Sequence, residues 1–390
     1  MPESENFEAL TQSSAAKVNL LGMSRETLDA FFKSLGEKPF RTKQFMQWVY
    51  QRQVLDFDLM TDFSKKFRQQ LHELACLELP KVVQKDFSTD GTRKFVIELE
   101  QGNRVESVFI PEGQRGTLCI STQVGCALDC KFCSTGKQGF FRDLTVAEII
   151  AQVWIAAQSF GVPQNLGNRP LTNVVFMGMG EPLMNFKASV EACKLIMDDC
   201  AYGVSKRRLT VSTSGVAPKI KELGEHVDVS LALSLHAPND ELRSKIVPLN
   251  NKYNIAEVLA ACRDYLSKFS ERKKVIIEYV LLDKVNDHFE HAHQLVALLQ
   301  DLPCKINLIP FNPFPHAPYK RPSSQRVQKF KDILVQNGYT TTVRTTRGDD
   351  IDAACGQLVG QVVDKTKRSK DWQAIIWKKT QAEAQTQVSL

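Results

Sequence analysis

The chain has 390 residues, of which 43% are hydrophobic and 24% are charged, and its formal net charge is +6. A chain of this length can form one large domain with a smaller companion, and it contains no apolar run of the roughly 18 residues that a membrane-spanning helix requires. The first residues lack the charged and apolar regions of a secretory signal, so we expect a cytoplasmic protein with no membrane partner. In that compartment the ten cysteines are expected to be metal ligands, catalytic thiols or buried apolar residues.

The first 85 residues are predicted to form a small helical domain. Thr27, Leu28 and Phe31 recur at helical spacing, and a second apolar stripe runs through Phe45 and Val49. Residues 86–115 follow with a different pattern, because the alternating runs 93–99 and 104–110 flank a short turn. This arrangement predicts a β-hairpin extension.

Residues 116–346 alternate between strand-like and helical runs, which predicts an α/β fold built from parallel β/α units. The predicted strands lie at residues 118–123, 173–177, 208–212, 227–235, 274–281 and 305–309. The predicted helices lie at residues 146–160, 187–197, 255–269 and 289–299. Six such units are fewer than the eight of a closed barrel, so we expect a partial (β/α)6 barrel. A C-terminal segment with a basic tail, residues 347–390, completes the chain.

Basic residues are clustered along the chain. The clusters lie at residues 33–43, 65–68, 206–208, 272–274, 320–321 and 365–370. Several include aromatic residues, a mixture that suits phosphate contact with base stacking. A solvated helix face has the same composition, so RNA binding remains open on this pattern alone.

Cys126, Cys130 and Cys133 carry the strongest chemical signal. Three thiolates can hold three irons of a cubane cluster and leave the fourth iron open for chemistry, whereas electron-storage clusters and structural zinc sites usually have four protein ligands. The alternative is half of a zinc site that a distant His or Cys completes. Five other cysteines lie within apolar patterns and are assigned to the core: Cys76, Cys193, Cys200, Cys262 and Cys304.

The cysteine loop and several polar motifs each follow a predicted strand, so one mouth of the barrel should collect them. These motifs are Gly178–Pro182, Ser212–Gly215, Ser234–His236 and Asn312. Five longer motifs lie at residues 121–126, 177–182, 212–215, 234–240 and 347–357. With the cysteine spacing, they resemble those of radical S-adenosylmethionine enzymes, and more narrowly of the RlmN-type adenine-C2 RNA methyltransferases of bacteria. The resemblance extends from about Lys17 to about Arg368.

This resemblance implies a radical S-adenosylmethionine barrel with two cofactors. A [4Fe-4S] cluster would be held by Cys126, Cys130 and Cys133, and two S-adenosylmethionine molecules would be used per turnover. The implied contacts to S-adenosylmethionine are Gly180, Glu181, Ser212, Ser234, Leu235, His236 and Asn312. Without the resemblance, His236 would be interpreted as a hydrogen-bonded core histidine.

Methylation at C2 of adenine requires an unusual route, because this carbon lies between two ring nitrogens and is a poor nucleophile. A radical route needs a thiol outside the cluster loop to carry the methyl group. The resemblance assigns this role to Cys355, the release of the methylated base to Cys119 through a Cys119–Cys355 disulfide, and the proton acceptor to Glu106. A buried structural thiol at Cys119 and an ordinary strand glutamate at Glu106 remain alternatives.

The resemblance thus implies methylation of an adenine in 23S rRNA and of an adenine in tRNA, by a monomer that takes electrons from a flavodoxin-like donor. Two other functions remain open. One is the sister activity at adenine C8, which uses similar cysteines. The other is a noncatalytic RNA-binding protein whose cysteines hold a metal.

Overall fold

The computed structural model describes residues 17–161, 170–315, 317–366 and 368–370. Its N-terminal part is helical, as predicted. The order is β1 (Val18–Asn19), α1 (Arg25–Ser34), α2 (Phe40–Met46), α3 (Lys65–Leu74) and β2 (Ala75–Cys76), with the two short strands paired. The three helices meet at Phe32, whose ring lies edge-on to the rings of Phe45 and Phe67, with centroids 5.3 and 5.2 Å away.

Antiparallel strands lead from this helical part into the core. They are β3 (Lys81–Phe87), β4 (Arg93–Glu98), β5 (Arg104–Glu112) and β6 (Arg115–Cys119). β4 and β5 form the hairpin that the alternating pattern predicted. β3 was not predicted, because it contains no buried residue and therefore lacks the apolar alternation of a half-buried strand.

Strands and helices alternate through the rest of the chain. The further strands are β7 (Gln123–Gly125), β8 (Phe140–Asp143), β9 (Asn173–Phe176), β10 (Leu209–Thr213), β11 (Ser230–Ser234), β12 (Val275–Leu281), β13 (Cys304–Pro310) and β14 (Thr341–Val343). The further helices are α4 (Ser134–Lys137), α5 (Val146–Gln158), α6 (Phe186–Met197), α7 (Ala217–His226), α8 (Asp240–Ile246), α9 (Ile255–Ser267), α10 (Phe289–Leu298) and α11 (Ser324–Gln336).

One ten-stranded sheet organises the protein, in the order β14-β13-β12-β11-β10-β9-β6-β5-β4-β3. Neighbouring strands from β6 to β14 are parallel, which confirms the predicted α/β partial barrel. β14 extends the six predicted strands by one more. Because the carboxyl ends of parallel strands meet at one edge, the loops that follow them form a single mouth.

The core assignment of the cysteines is only partly correct. Cys193, Cys262 and Cys304 are buried, as predicted, whereas Cys76 and Cys200 are only partly buried. Cys76 ends a two-residue strand and Cys200 lies in the turn after α6, so neither side chain is covered on all sides. Within the described ranges, no helix is both long and apolar enough to cross a membrane.

Candidate active site

The cysteine loop lies between β7 and β8 and is closed by tight backbone contacts. The amide of Cys126 donates to the carbonyl of Gly139 at 2.7 Å, and the amide of Cys133 donates to the carbonyl of Cys130 at 3.1 Å. At Gly125, where φ is +77°, a β-carbon would lie 2.1 Å from the Gly139 oxygen. The close approach of the two chains therefore requires glycine at this position.

The three thiols are spaced more widely than three sulfurs bound to one zinc ion. Zinc–sulfur bonds of about 2.3 Å would bring three sulfurs to within about 4 Å of one another. The three Sγ atoms do not all lie within 4.8 Å of one another, and the one group of ligand-type side chains in the described ranges that meets this distance is exposed: Asp56, Asp58 and His72.

The three thiols also lie where a positive metal centre would be needed to keep them ionised. Burial, and then the neighbouring Cys130, raise the pKa of Cys126 well above that of a free thiol. Burial, and then Cys133, raise the pKa of Cys130 to about 12. Iron ions would compensate this repulsion, so the donor set fits an iron–sulfur cluster.

A cavity of about 140 Å³ opens directly beside these thiols. Most of the predicted cofactor contacts line it, namely Gly180, Glu181, Ser212, Ser234, His236 and Asn312. Leu235 does not. Its side chain is fully buried, and its amide donates to the carbonyl of Glu278 at 3.1 Å.

Glu181 provides a buried carboxylate in this cavity. Its oxygens accept hydrogen bonds from the amides of Ser214 at 2.8 Å and Leu183 at 3.1 Å. Burial raises the pKa of Glu181, although these hydrogen bonds oppose the shift. The preceding Gly180 has a φ of +98°, and a β-carbon there would lie 2.5 Å from the Cβ of Gln123. The carboxylate is thus held rigidly where it can pair with the ammonium group of a ligand.

His236 lines the cavity as a neutral ring. Its Nδ1 accepts a hydrogen bond from the amide of Val280 at 3.0 Å, so the ring proton belongs on Nε2. Burial, together with the charge of Arg243, lowers the pKa of His236 to about 3. The ring can therefore donate a hydrogen bond to a ligand, but it carries no charge near neutral pH.

Arg243 stabilises the backbone around this cavity, and the sequence analysis did not identify it. The fully buried guanidinium donates to the carbonyls of Leu235 at 3.0 Å, Ser214 at 2.6 Å and Ser234 at 3.2 Å. It thereby joins the loops that follow β10 and β11. In the sequence this arginine lies in a charged helical run, which is typical of a solvated face, so no local signal distinguishes it.

A second cavity, of about 390 Å³, adjoins the first, and Cys355 lines both. Cys119 lines the second cavity from the end of β6 and is buried, whereas Cys355 is exposed. Asn312 donates from its side-chain amide to the carbonyl of Cys355 at 3.1 Å. The structure thus brings the two predicted catalytic thiols to one place beside the cofactor cavity.

Arg344 is one of three arginines that line the second cavity, with Arg115 and Arg347, and the sequence analysis did not single it out. Among the described residues no carboxylate oxygen lies within 4.0 Å of its guanidinium, which approaches the sulfur of Met177 at 3.9 Å. Cys355 is in contact with solvent, yet the protein atoms packed around its thiol raise its pKa. Burial raises the pKa of Cys119 to about 12, and the charge of Arg344 opposes both shifts. The available signal was a charged residue directly after β14, whose three residues are all β-branched.

The segment around Cys355 is fastened to the cysteine loop. The amide of Ser134 donates to the carbonyl of Gly356 at 2.8 Å, and the hydroxyl of Thr135 donates to the carbonyl of Leu358 at 2.8 Å. These bonds position Cys355 relative to Cys126, Cys130 and Cys133, although more than 200 residues separate them in sequence.

Glu106 lies apart from both cavities. Its side chain is buried on β5, and its carboxylate accepts a hydrogen bond from the amide of Val359 at 3.2 Å. Burial raises the pKa of Glu106, while Lys94 opposes the shift. In this structure the carboxylate therefore anchors the segment that carries Cys355.

Two family models match this chain. Residues 18–77 match the ribosomal RNA large subunit methyltransferase N-terminal domain, and residues 120–296 match the radical SAM superfamily.

Similar proteins cover almost the whole chain. A relative from Marinobacter nauticus, named dual-specificity RNA methyltransferase RlmN, is 60% identical and spans 93% of this chain and 98% of its own length. A relative of the same name from Alcanivorax borkumensis is 56% identical and spans 94% and 96%. The crystal structure of a radical SAM methyltransferase from Sphaerobacter thermophilus is 41% identical, with a TM-score of 0.81, and covers 87% of this chain and 99% of that protein.

Proposed function

This chain belongs to the RlmN family of radical S-adenosylmethionine RNA methyltransferases, and we propose that it methylates C2 of an adenine in 23S rRNA and of an adenine in tRNA. The observation that carries the proposal is the position of Cys355, which lines both the cavity beside the cluster thiols and the cavity that contains Cys119. A noncatalytic RNA-binding protein has no use for two thiols placed in this way.

Family membership implies a [4Fe-4S] cluster and S-adenosylmethionine as cofactors. When bound, they supply a methyl group and an organic radical. Cys126, Cys130 and Cys133 would hold the cluster, and Glu181 would pair with the ammonium group of the methionine moiety. Ser212, Ser234, His236 and Asn312 would contact the remainder, while Leu235 would contribute its backbone.

Cys355 would carry the methyl group. Its thiol loses a proton and its sulfur accepts the methyl group from a first S-adenosylmethionine, which leaves as S-adenosylhomocysteine. Arg344 favours this step because its charge stabilises the thiolate. A second S-adenosylmethionine, with one electron from the reductant, would supply an organic radical that takes up a hydrogen atom from the methyl group. The methylene carbon then bonds to adenine C2, so that the protein is covalently joined to RNA.

Release requires a base and a second thiol. Glu106 would accept the proton of C2, and burial favours this role because it raises the pKa of the carboxylate and makes it a stronger base. Glu106 must first exchange the amide of Val359 for the substrate. The adduct also returns one electron to the redox system that supplied it. The thiolate of Cys119 then attacks the sulfur of Cys355, the bond from this sulfur to the methylene carbon breaks, and that carbon takes up a proton to become the methyl group. A disulfide remains, which a two-electron reductant must reopen. Both thiols are free in this structure.

The N-terminal helical part would help to bind the RNA. The guanidinium of Arg52 lies 4.0 Å from the ring centroid of Trp48, and that of Arg41 lies 4.8 Å from that of Phe40, which is half exposed. Arginine and aromatic side chains in such pairs suit phosphate contact and base stacking. The proposal is completed by a cytoplasmic location, a monomeric state and a flavodoxin-like electron donor.

Analysis of the methylated base tests this function directly. Anaerobically reconstituted protein would be incubated with S-adenosylmethionine, a reductant and unmodified 23S rRNA or tRNA, and the digested RNA would be examined by mass spectrometry. We expect 2-methyladenosine from both RNAs. The matched control is Cys200→Ala, which changes a partly buried cysteine outside both cavities and should leave the yield unchanged. Detection of 8-methyladenosine alone would assign the sister activity instead.

A further inference from the structure

Two basic clusters of the sequence that the active site does not use meet in one place. Residues 206–208 precede β10 and residues 272–274 precede β12, and side chains from both line a cavity of about 590 Å³ together with Lys305 of β13. We call this site the basic cavity. Its charged lining residues are Lys206, Arg207, Asp228, Arg272, Lys273, Lys274 and Lys305.

The basic cavity carries a large excess of positive charge. Six of its side chains are cationic and one, Asp228, is anionic. Asp228 pairs with Lys206 at 2.5 Å and also with Lys273. The other four cations are exposed, and within the described ranges no carboxylate lies within 4.0 Å of them: Arg207, Arg272, Lys274 and Lys305. They are therefore available to a ligand.

The floor of the basic cavity is rigid. The ammonium group of Lys273 lies 3.6 Å from the ring centroid of Phe269 and 4.7 Å from that of Tyr265. The hydroxyl of Tyr265 donates to the carbonyl of Val229 at 2.6 Å. Lys273 is thus held by Asp228 and by two aromatic rings, of which that of Tyr265 is buried, and the four other cations lie around this group.

The basic cavity lies at the opposite end of the barrel from the candidate active site. It lies at the amino ends of β10, β11, β12 and β13, whereas the cofactor contacts lie at their carboxyl ends. These strands have five to seven residues, which corresponds to about 15–25 Å at about 3.3 Å per residue. An electron donor must approach the cluster at the other end, and the adenine to be methylated must approach Cys355. Neither can occupy this site while it reacts.

We propose that the basic cavity binds the phosphate backbone of the substrate RNA at a point remote from the adenine that is methylated. This inference rests on the proposed function, since it assumes an RNA substrate. A group of unpaired cations on a rigid base suits consecutive phosphates, and such contacts add affinity without reading sequence. An RNA long enough to reach around the barrel would contact both the active site and the basic cavity. A short stem-loop would contact only the active-site end.

Charge reversal at the rim tests the proposal. R272E/K274E would be compared with K329E/K331E, which makes the same change of net charge on α11, outside the basic cavity. Binding of a long 23S rRNA fragment and of a short stem-loop with the target adenine would be measured over a series of salt concentrations. For R272E/K274E we expect the affinity for the long RNA to fall by about tenfold or more. The slope of log affinity against log salt concentration should decrease by the amount that about two phosphate contacts contribute. Binding of the stem-loop should not change.

Several outcomes would overturn the proposal that the basic cavity binds RNA. They are unchanged binding of the long RNA, an equal loss for both RNAs, or an equal loss with K329E/K331E. Weaker binding of an acidic flavodoxin with unchanged RNA binding would assign the site to a protein partner instead. If R272E/K274E fails to fold by circular dichroism, Arg207→Gln with Lys305→Gln tests the same site. Failure of the proposed function would be recognised separately, because the wild-type protein would then bind RNA without methylating it.

Discussion

The two ends of the barrel use polar side chains in opposite ways. At the carboxyl ends of the strands, Glu181, His236 and Arg243 are buried and bonded to backbone groups. At the amino ends, Arg272 and Lys274 are exposed, and no carboxylate among the described residues lies within 4.0 Å of them. Catalysis needs a few groups that are held in fixed positions away from water. Binding of an RNA phosphate backbone needs many charged side chains that are exposed to water.

Replacement of Cys355 gives the largest expected effect and tests whether all chemistry lies at the carboxyl end. Cys355→Ala should lower methylation by roughly three orders of magnitude or more, because the covalent route is lost. Iron content and affinity for RNA should remain as in the wild type. Mass spectrometry of the RNA, iron analysis and a binding titration measure the three quantities. Substantial methylation by this variant would exclude Cys355 as the methyl carrier.

Replacement of Cys119 should separate attachment of the RNA from its release. Cys119→Ala retains Cys355 and the cofactor contacts, so the adduct can form but its carbon–sulfur bond cannot be broken by a second thiol. We expect protein–RNA adduct to accumulate, as a slowly migrating band on a denaturing gel that nuclease removes. Free methylated RNA produced at the wild-type rate would show that Cys119 is a structural thiol.

Two substitutions of Glu106 distinguish a catalytic role from an anchoring role. Glu106→Gln keeps an oxygen that can accept the amide of Val359, but it removes the base. If Glu106 takes the proton from C2, the yield of 2-methyladenosine should fall by about 100-fold or more while methylation of Cys355 in the absence of RNA continues. If the residue only anchors the segment, Glu106→Gln should be nearly normal, whereas Glu106→Ala should impair both reactions.

The smallest effect is expected at Arg344. The protein atoms packed around the Cys355 thiol raise its pKa and the charge of Arg344 opposes the shift, so Arg344→Gln should raise this pKa further and leave less thiolate at neutral pH. Alkylation of Cys355 in apoprotein, followed at the level of its peptide by mass spectrometry, should then be several-fold slower and should recover at higher pH. Arg344→Lys keeps the charge and should lie between the two. An unchanged pH profile would mean that Arg344 does not act on this thiol.

Local patterns were sufficient for much of the fold. Alternating strand-like and helical runs predicted the parallel strands, and apolar alternation predicted β4 and β5, because both patterns reflect burial of one face. β3 escaped because it buries neither face. Cys76 and Cys200 were wrongly assigned to the core for a related reason, since a short apolar run does not reveal whether the rest of the protein covers it.

The site was predictable where its chemistry is local in sequence. The spacing of Cys126, Cys130 and Cys133 and the Gly180–Glu181 pair indicate their chemistry within a few residues. Arg243, Arg344 and the hydrogen bond from Val359 to Glu106 join elements that are far apart in the chain, and no short pattern records them.

The sequence by itself determined the alternation of six parallel strands with helices, the candidate cluster ligands and the motifs at the ends of those strands, because these depend on residue type and short spacing. Only the tertiary structure decided that Cys355 lies beside both cavities and that Arg207 and Arg272 face the same space at the opposite end. The physical reason is that strand order and the packing of the C-terminal segment depend on contacts between distant residues. Those contacts form only when the whole sheet is assembled.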